Sequence, residues 1–390
     1  MAHAQRRANA AACLSVLRDA PGVWTIRQIA SRTGLSRPTV DAVLRSLVER
    51  APVVDDHGAH ASGAGRPARR FSFDPTAGCV AGLDAGLHVL RLVVCDLAGT
   101  VLVRTDAAVN PGLGATDRLT MIHQFIERTR REVGAGPLRA LGVGVPGIVG
   151  ADHRISHSLV SESWVGLDLA AELADHCGCP VVLDNDVKAA ALAEQRLRDP
   201  QPRHMLFLQL GNRISLAVVV DGQVLQGSHR IAGELGTRRA MRWTHNSHRG
   251  QLRWQSAPTA AQVFARADEG DRAATEEIAQ FCAEIAPLVA TIVLTVDPEV
   301  VVVGGGLSRS GATLLDPLTT AVHDQLTVDP RPPLVTSLLR SGGADIGAVG
   351  LAFEQLSEQV VGVADVRPPW PRWHPALHQD LTMSTTEGET

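Results

Sequence analysis

Three features of the sequence predict a mixed α+β and α/β fold in two parts: a small helical module with a β-wing, then a larger two-lobed α/β body. The first is a charge split. The 390 residues carry a formal net charge of −4, yet residues 1–73 hold eleven Arg against five acids, a balance of +6. The remaining 317 residues hold 26 basic and 36 acidic side chains, a balance of −10. A basic arm on an acidic body points to a nucleic-acid-facing segment. The second is a run of capped helical stretches near the N-terminus. The third is two series of strands alternating with helices from residue 79 onward. The composition is 45% hydrophobic with 36 Gly and 22 Pro, which excludes a disordered, collagenous or coiled-coil chain. Arg supplies 36 of the basic residues and Lys only one, Lys188.

In the arm, Ala11, Leu14 and Leu17 recur at helical spacing within residues 8–20. Thr25 can cap a second helix over Ile26–Thr33, and Gly34-Leu35 make a tight turn. Ser36 then caps a third helix, with Pro38 in its first turn and Val40, Val43, Leu44 and Leu47 on one face. Two helices joined by a short Gly-containing turn are the helix-turn-helix signature. Its second helix enters the major groove with its N-terminal residues on base edges. Those residues are Ser36, Arg37, Pro38, Thr39 and Asp41, with Arg45 further along, and Arg37 suits a bidentate guanine contact. Val53-Val54 and Phe71-Ser72-Phe73 then flank a Gly- and Arg-rich wing, where Arg66, Arg69 and Arg70 can reach phosphates or a minor groove. The partner expected from this pattern is a double-stranded DNA operator.

The body reads as strands Cys79–Leu83, Val89–Asp96 and Val101–Thr105, a helix over 118–133, strand Ala140–Val145, a helix over 167–176, strand Val181–Leu183 and a helix from Asp186. A second meander runs over 205–226. A long helix over about 275–296, strand Val300–Val303, Gly304-Gly305-Gly306 and a further helix follow. Such alternation implies mostly parallel sheets with flanking helices, in two lobes with a ligand cleft between them. The N-terminus lacks an apolar region with a cleavage site, and no uncharged apolar stretch reaches 18 residues, so a cytoplasmic location without a membrane partner is expected. Cys13, Cys79, Cys95, Cys177, Cys179 and Cys282 read as buried thiols in a reducing compartment.

Six segments together resemble the ROK family of repressors and sugar kinases: GLSRPTV (34–40), GAGRPARRFSFDP (63–75), GVGVPGIVG (142–150), LDNDVKAAALAE (183–194), AGELG (232–236) and DPEVVVVGGGLSRSG (297–311). The resemblance extends over about residues 8–362. It implies an N-terminal winged helix-turn-helix (1–75), then an actin-like, sugar-kinase-like (ASKHA) domain with lobes at 76–190 and 191–365. Residues 366–390, rich in Pro and polar side chains, read as a loosely attached tail.

Within that resemblance, Asp186 matches the family's catalytic base, here vestigial, and its bland reading is a helix N-cap. The family's first phosphate loop resembles Asp-x-Gly-Gly-Thr and is here Asp84-Ala85-Gly86-Leu87-His88. The second resembles Gly-Thr-Gly-x-Gly and is here Gly211-Asn212-Arg213-Ile214-Ser215. Phosphate loops need glycine because backbone N–H groups must approach the anion closely, so neither ATP use nor catalysis is expected. Asn185, Asp186 and Glu234 match sugar ligands, whereas Thr237 stands where the family has His and Arg253 where it has Glu. The zinc motif's three Cys positions hold Thr244, Asn246 and Gln251, so no structural metal and no cofactor are expected. Lys188 reads either as a solvated helix residue or as one member of an ion pair near the cleft. The implied protein is a DNA-binding regulator of carbohydrate metabolism genes, acting as a homodimer or tetramer and modulated by a sugar or phosphosugar. The alternative is a sugar kinase with a DNA-binding arm.

Overall fold

Local capping explains where the arm's helices start and stop in the computed structural model, which describes residues 2–56, 69–158, 162–237, 243–247, 251–340 and 342–374. Helix α1 (Ala2–Asp19) buries Ala10, Cys13, Leu14 and Leu17. Strand β1 (Trp24–Thr25) runs into α2 (Ile26–Thr33), where Thr25 and Gln28 form a reciprocal capping box. Gly34 ends α2 in the left-handed region at φ 72°, a conformation that favours glycine. Ser36 caps α3 (Arg37–Arg50), whose Val40, Leu44 and Leu47 face the core. Strands β2 (Val53–Asp56) and β3 (Arg70–Phe73) pair antiparallel, and β1 adds to the far side of β3 to give the order β1-β3-β2. This is a winged helix-turn-helix; the wing tip over 57–68, including Arg66, lies outside the described residues.

The first sheet is built from β4 (Cys79–Ala85), β5 (Val89–Asp96), β6 (Val101–Ala108), β7 (Leu138–Val145) and β10 (Val181–Asn185), in the order β10-β7-β4-β5-β6. Helices α4 (Ala115–Glu132) and α5 (Leu169–Cys177) accompany it, with short strands β8 (Ile148–Val149) and β9 (Ile155–His157) between them in the chain. The second sheet comprises β11 (Met205–Leu210), β12 (Ile214–Val220), β13 (Gln223–Val224), β14 (Val300–Gly304) and β15 (Leu334–Thr336), in the order β13-β12-β11-β14-β15. Its helices are α6 (Asp186–Leu197), α7 (Ala260–Asp268), α8 (Arg272–Val296) and α9 (Ala312–Asp324). Helices α10 (Ala344–Gln355) and α11 (Ser357–Val361) close the order. Each sheet mixes antiparallel hairpins with a parallel crossover pair, β4 with β7 and β11 with β14.

Helix α8 is long and apolar enough, by length and composition, to cross a bilayer. Its Ile278, Phe281, Ile285, Val289 and Val293 instead form the heart of the second sheet's core, packed with Leu206, Leu208 and Val301. The six cysteines are free thiols, and burial raises the pKa of Cys79, Cys177 and Cys179, of Cys13 to about 11 and of Cys282 to about 12. These five are therefore held as protonated thiols at neutral pH.

Two features differ from the sequence reading. The chain groups into two compact units that are not sequential: Met1–Pro146, His153–Asp184 and Ala348–Thr390 form one, and Gly147–Asp152 with Asn185–Gly347 form the other. Residues 348–365, assigned by sequence to the second lobe, thus return to the first unit. Residues 366–374, expected to be loose, are packed. Trp370 and Trp373 are 8% and 1% exposed, their rings meet edge to face, and Trp373 Nε1 donates to Gly99 O at 2.9 Å. Pro-rich composition reads as disorder, but the large apolar surface of two indoles outweighs it. Residues 375–390 lie outside the described residues.

Candidate functional site

The residues expected from the sequence to face DNA sit on the first turns of α3 and on the wing. Arg37 opens α3 and is exposed, as is Pro38, which occupies the first turn where its missing N–H costs nothing. Ser36 Oγ accepts from Thr39 N at 3.3 Å and lies 2.8 Å from Thr39 Oγ1, so these two hydroxyls fix the helix start. Asp41 is half-buried and held by two guanidiniums, Arg45 one turn on and Arg69 Nη1 at 3.3 Å. Arg69 also binds Asp55 of β2, with Nε 3.0 Å from Oδ2, and its guanidinium lies 5.1 Å from the Phe71 ring. Arg69 is therefore a strut between wing and helix, while Arg70 beside it is exposed. Arg37→Ala is expected to weaken a specific site by about 1–3 kcal/mol and relax its base preference. Fluorescence anisotropy on matched specific and non-specific duplexes checks this; equal weakening of both would make Arg37 a phosphate contact.

The second constellation starts at the β10–α6 junction. Asn185, not Asp186, is the helix cap: its Oδ1 accepts from Lys188 N at 3.0 Å and its Nδ2 donates to Gly147 O at 3.0 Å. Asn185 sits one residue before the helix, where its amide oxygen reaches the third turn position. Asp186 takes the first helical position, half-buried, with Oδ1 accepting from its neighbour Val187 N at 2.9 Å. Glu234 lies on the loop after β13, half-buried, and Thr237 closes the turn behind it by donating from Oγ1 to Glu234 O at 2.6 Å. Gly233 has φ 86°, and a Cβ there would come within 2.6 Å of Leu216 O, so the loop lies directly on β12. Lys188 is not a solvated helix residue. It is 3% exposed, and its Nζ donates to Gln226 Oε1 at 3.2 Å and Arg230 O at 2.8 Å. Arg253 is exposed and lines a small cavity with Thr244, His245, Trp254, Glu277 and Glu284.

The phosphate loops do not fit ATP. Asp84 Oδ2 accepts from Arg91 Nη1 at 2.9 Å, across the antiparallel register that sets these residues opposite each other on β4 and β5. Arg118 of α4, 3% exposed, donates to the carbonyls of Gly86 and Leu87 and lies 5.0 Å from the Trp164 ring. Burial lowers the pKa of its guanidinium. The first loop is thus held by two arginines from its own unit. In the second loop, Gly211 N donates to Arg213 O at 3.1 Å in a tight hairpin turn, and burial also lowers the Arg213 pKa. Below Gly304, the Phe207 ring would lie 2.6 Å from an added Cβ.

Nor do the residues fit zinc, since Thr244, Asn246 and Gln251 offer no thiolate. Carboxylates of α8 fasten that segment instead. Glu284 Oε2 accepts from His245 N at 3.0 Å, and Glu277 accepts from Gln255 N at 2.6 Å and Ser256 N at 2.9 Å. Trp254 packs on Phe264 and Phe281 at ring distances of 5.7 and 5.3 Å. Sequence reasoning missed Arg91, Arg118, Glu277 and Glu284. The first was legible as the cross-strand partner of Asp84, the last two only as acids seven residues apart on α8.

Comparison with known proteins agrees with this geometry. The ROK family model matches residues 80–251 and 239–355, and the IclR helix-turn-helix domain matches residues 8–56. The xylose repressor of Bacillus subtilis is 24% identical over 213 residues, 54% of this chain and 54% of that protein. The chain thus spans about half the length of that curated relative. A crystal structure of a ROK family transcriptional regulator, a homologue of the E. coli Mlc protein, superposes with a TM-score of 0.70 at 18% identity, over 92% of this chain and 98% of that one. A ROK family glucokinase from Streptomyces griseus, in complex with glucose and AMPPNP, gives a TM-score of 0.61 at 19% identity over 70% of this chain and 99% of that one. With a winged helix-turn-helix followed by two such sheets, and the family model matching well over half its length, the chain belongs to the ROK family.

Proposed function

We propose that this protein is a sequence-specific DNA-binding regulator, a repressor of carbohydrate metabolism genes, whose kinase-like body senses a sugar or phosphosugar and does not phosphorylate it. One observation carries the reading: a winged helix-turn-helix, with Arg37 exposed at the start of α3, precedes a ROK body whose Asp84 is paired with Arg91. The sugar-facing set Asn185, Asp186 and Glu234 is retained, and carboxylate and amide groups suit vicinal hydroxyls. Repression is supported by the xylose repressors among its relatives. Ligand binding changes operator affinity only through different affinity for two states. As a homodimer it reads half-sites about one helical turn, ~34–36 Å, or a multiple of it apart.

Three measurements test this. Selection of genomic fragments by the purified protein is expected to recover an inverted repeat whose binding d-xylose, d-glucose or their phosphates alter. Glu234→Gln is expected to reduce the melting-temperature rise given by the responsive sugar, because ligand binding stabilises the native state by mass action. Incubation with ATP, Mg²⁺ and the same sugars is expected to give no turnover. Phosphorylation that Asp186→Asn abolishes would overturn the reading in favour of a kinase, for which the ROK glucokinase and NanK relatives stand as precedent.

A further inference from the structure

We propose that Lys188, the lone lysine of the chain, is a positioning residue: it pins the loop over 225–237, and with it Glu234, to the Asn185–Asp186 end of α6 before any sugar arrives. The inference rests on the sugar-binding reading above and deepens it.

The loop's outer turn presents apolar side chains to solvent. Leu225 and Ile231 are 43% and 54% exposed, so apolar burial does not fasten this stretch. Its backbone is bent by left-handed residues at Gly227, Arg230 and Gly233, with φ 72°, 58° and 86°. Several of its hydrogen bonds are internal: Arg230 N to Gly227 O, Ala232 N to Gln226 O and Glu234 N to Ile231 O. Such bonds shape the loop, and Leu225 N donating to Val218 O at 2.7 Å ties its first residue to β12. Lys188 reaches across from α6 and meets both ends of the bend, Gln226 Oε1 and Arg230 O. At the other side of the same residue, Lys188 N is the donor that the Asn185 cap accepts. One residue therefore ties the helix end bearing Asn185 and Asp186 to the loop bearing Glu234.

The chemistry suits a strut. An ammonium buried to 3% exposure is expensive unless its donors are satisfied, so burial of this kind specifies a geometry more than it adds stability. Asn185 and Gly233 fix where the two segments begin, and the lysine sets the span between them.

The test is hydrogen–deuterium exchange on the full-length protein without sugar. Lys188→Met is expected to speed exchange about tenfold in peptides covering 225–237 and leave the α8 peptides unchanged, because local opening is independent of the global transition. Lys188→Arg, which keeps a cationic donor, is expected to restore most of the protection. Gln226→Ala removes one acceptor without touching the helix core and is expected to give a smaller, local increase. It decides the matter where Lys188→Met fails to fold. Unchanged exchange over 225–237 in Lys188→Met, or in Gln226→Ala where the first variant is unfolded, overturns the proposal. A second arm uses d-xylose, d-glucose and d-glucose 6-phosphate. Whichever raises the wild-type melting temperature is expected to bind Lys188→Met at least about tenfold more weakly, with sugar-free operator affinity unchanged. If none of the three raises it, the sugar-sensing reading loses support while the exchange arm still decides the role of Lys188.

Discussion

Gly362→Ala is expected to loosen the DNA-reading module from the rest of its unit. Gly362 ends α11 at φ 73°, and a Cβ there would lie 2.0 Å from Arg50 O, at the C-terminal end of α3. A non-glycine residue pays about 1–2 kcal/mol for left-handed backbone. The clash adds about 1–3 kcal/mol of overpacking, because a helix-terminal carbonyl cannot fold away as a flexible side chain can. The neighbouring contacts are light: Arg372 Nη2 to Arg18 O at 3.4 Å and an exposed Arg7–Asp365 pair at 3.6 Å. An exposed pair of this kind contributes little. Calorimetry is expected to show an earlier transition for the arm, and anisotropy a loss of operator affinity. A single unshifted transition with unchanged DNA binding would show that the arm does not depend on this contact.

Gly142→Ala is expected to be the most destabilising single methyl in the first unit. Gly142 lies in β7 opposite Gly82 of β4, and its Cβ would fall 1.8 Å from Ala348 O of α10. The obstacle is helix backbone, so the whole of α10 must move outward or the sheet must buckle. The cost is expected to exceed about 3 kcal/mol, at the upper end for a core substitution. In the second unit Gly347 sets up the same situation, with a Cβ 1.9 Å from Ala189 O of α6. Urea titration followed by far-UV circular dichroism measures both variants. A change below about 1 kcal/mol in either would mean that α10 shifts easily.

Much of the arm was legible because its signals are local. Thr25, Gly34, Ser36 and Pro38 act on residues within one turn, and the helices start and stop where these residues stand. The damage to the phosphate loops was legible too, since a missing glycine is visible as a letter. The cap at the β10–α6 junction was misplaced by one residue, to Asp186 rather than Asn185, because both side chains can cap and only backbone geometry chooses. Helices α10 and α11 were not read, because an Ala-Gly-rich stretch and a five-residue helix show no clear period.

Taken alone, the sequence determined the order of modules and which residues stand at the loop, zinc and sugar positions that the family resemblance implies. Only the tertiary structure decided what replaces the missing chemistry. It made Arg69 a strut to Asp41 and Asp55, occupied Asp84 with Arg91, fastened His245, Gln255 and Ser256 to Glu284 and Glu277, and sent Lys188 inward to acceptors 38 and 42 residues away. Caps and turns are chosen by neighbours along the chain. The partner of a long charged side chain is chosen by which distant backbone or carboxylate the fold brings within hydrogen-bond reach, and no local pattern encodes that.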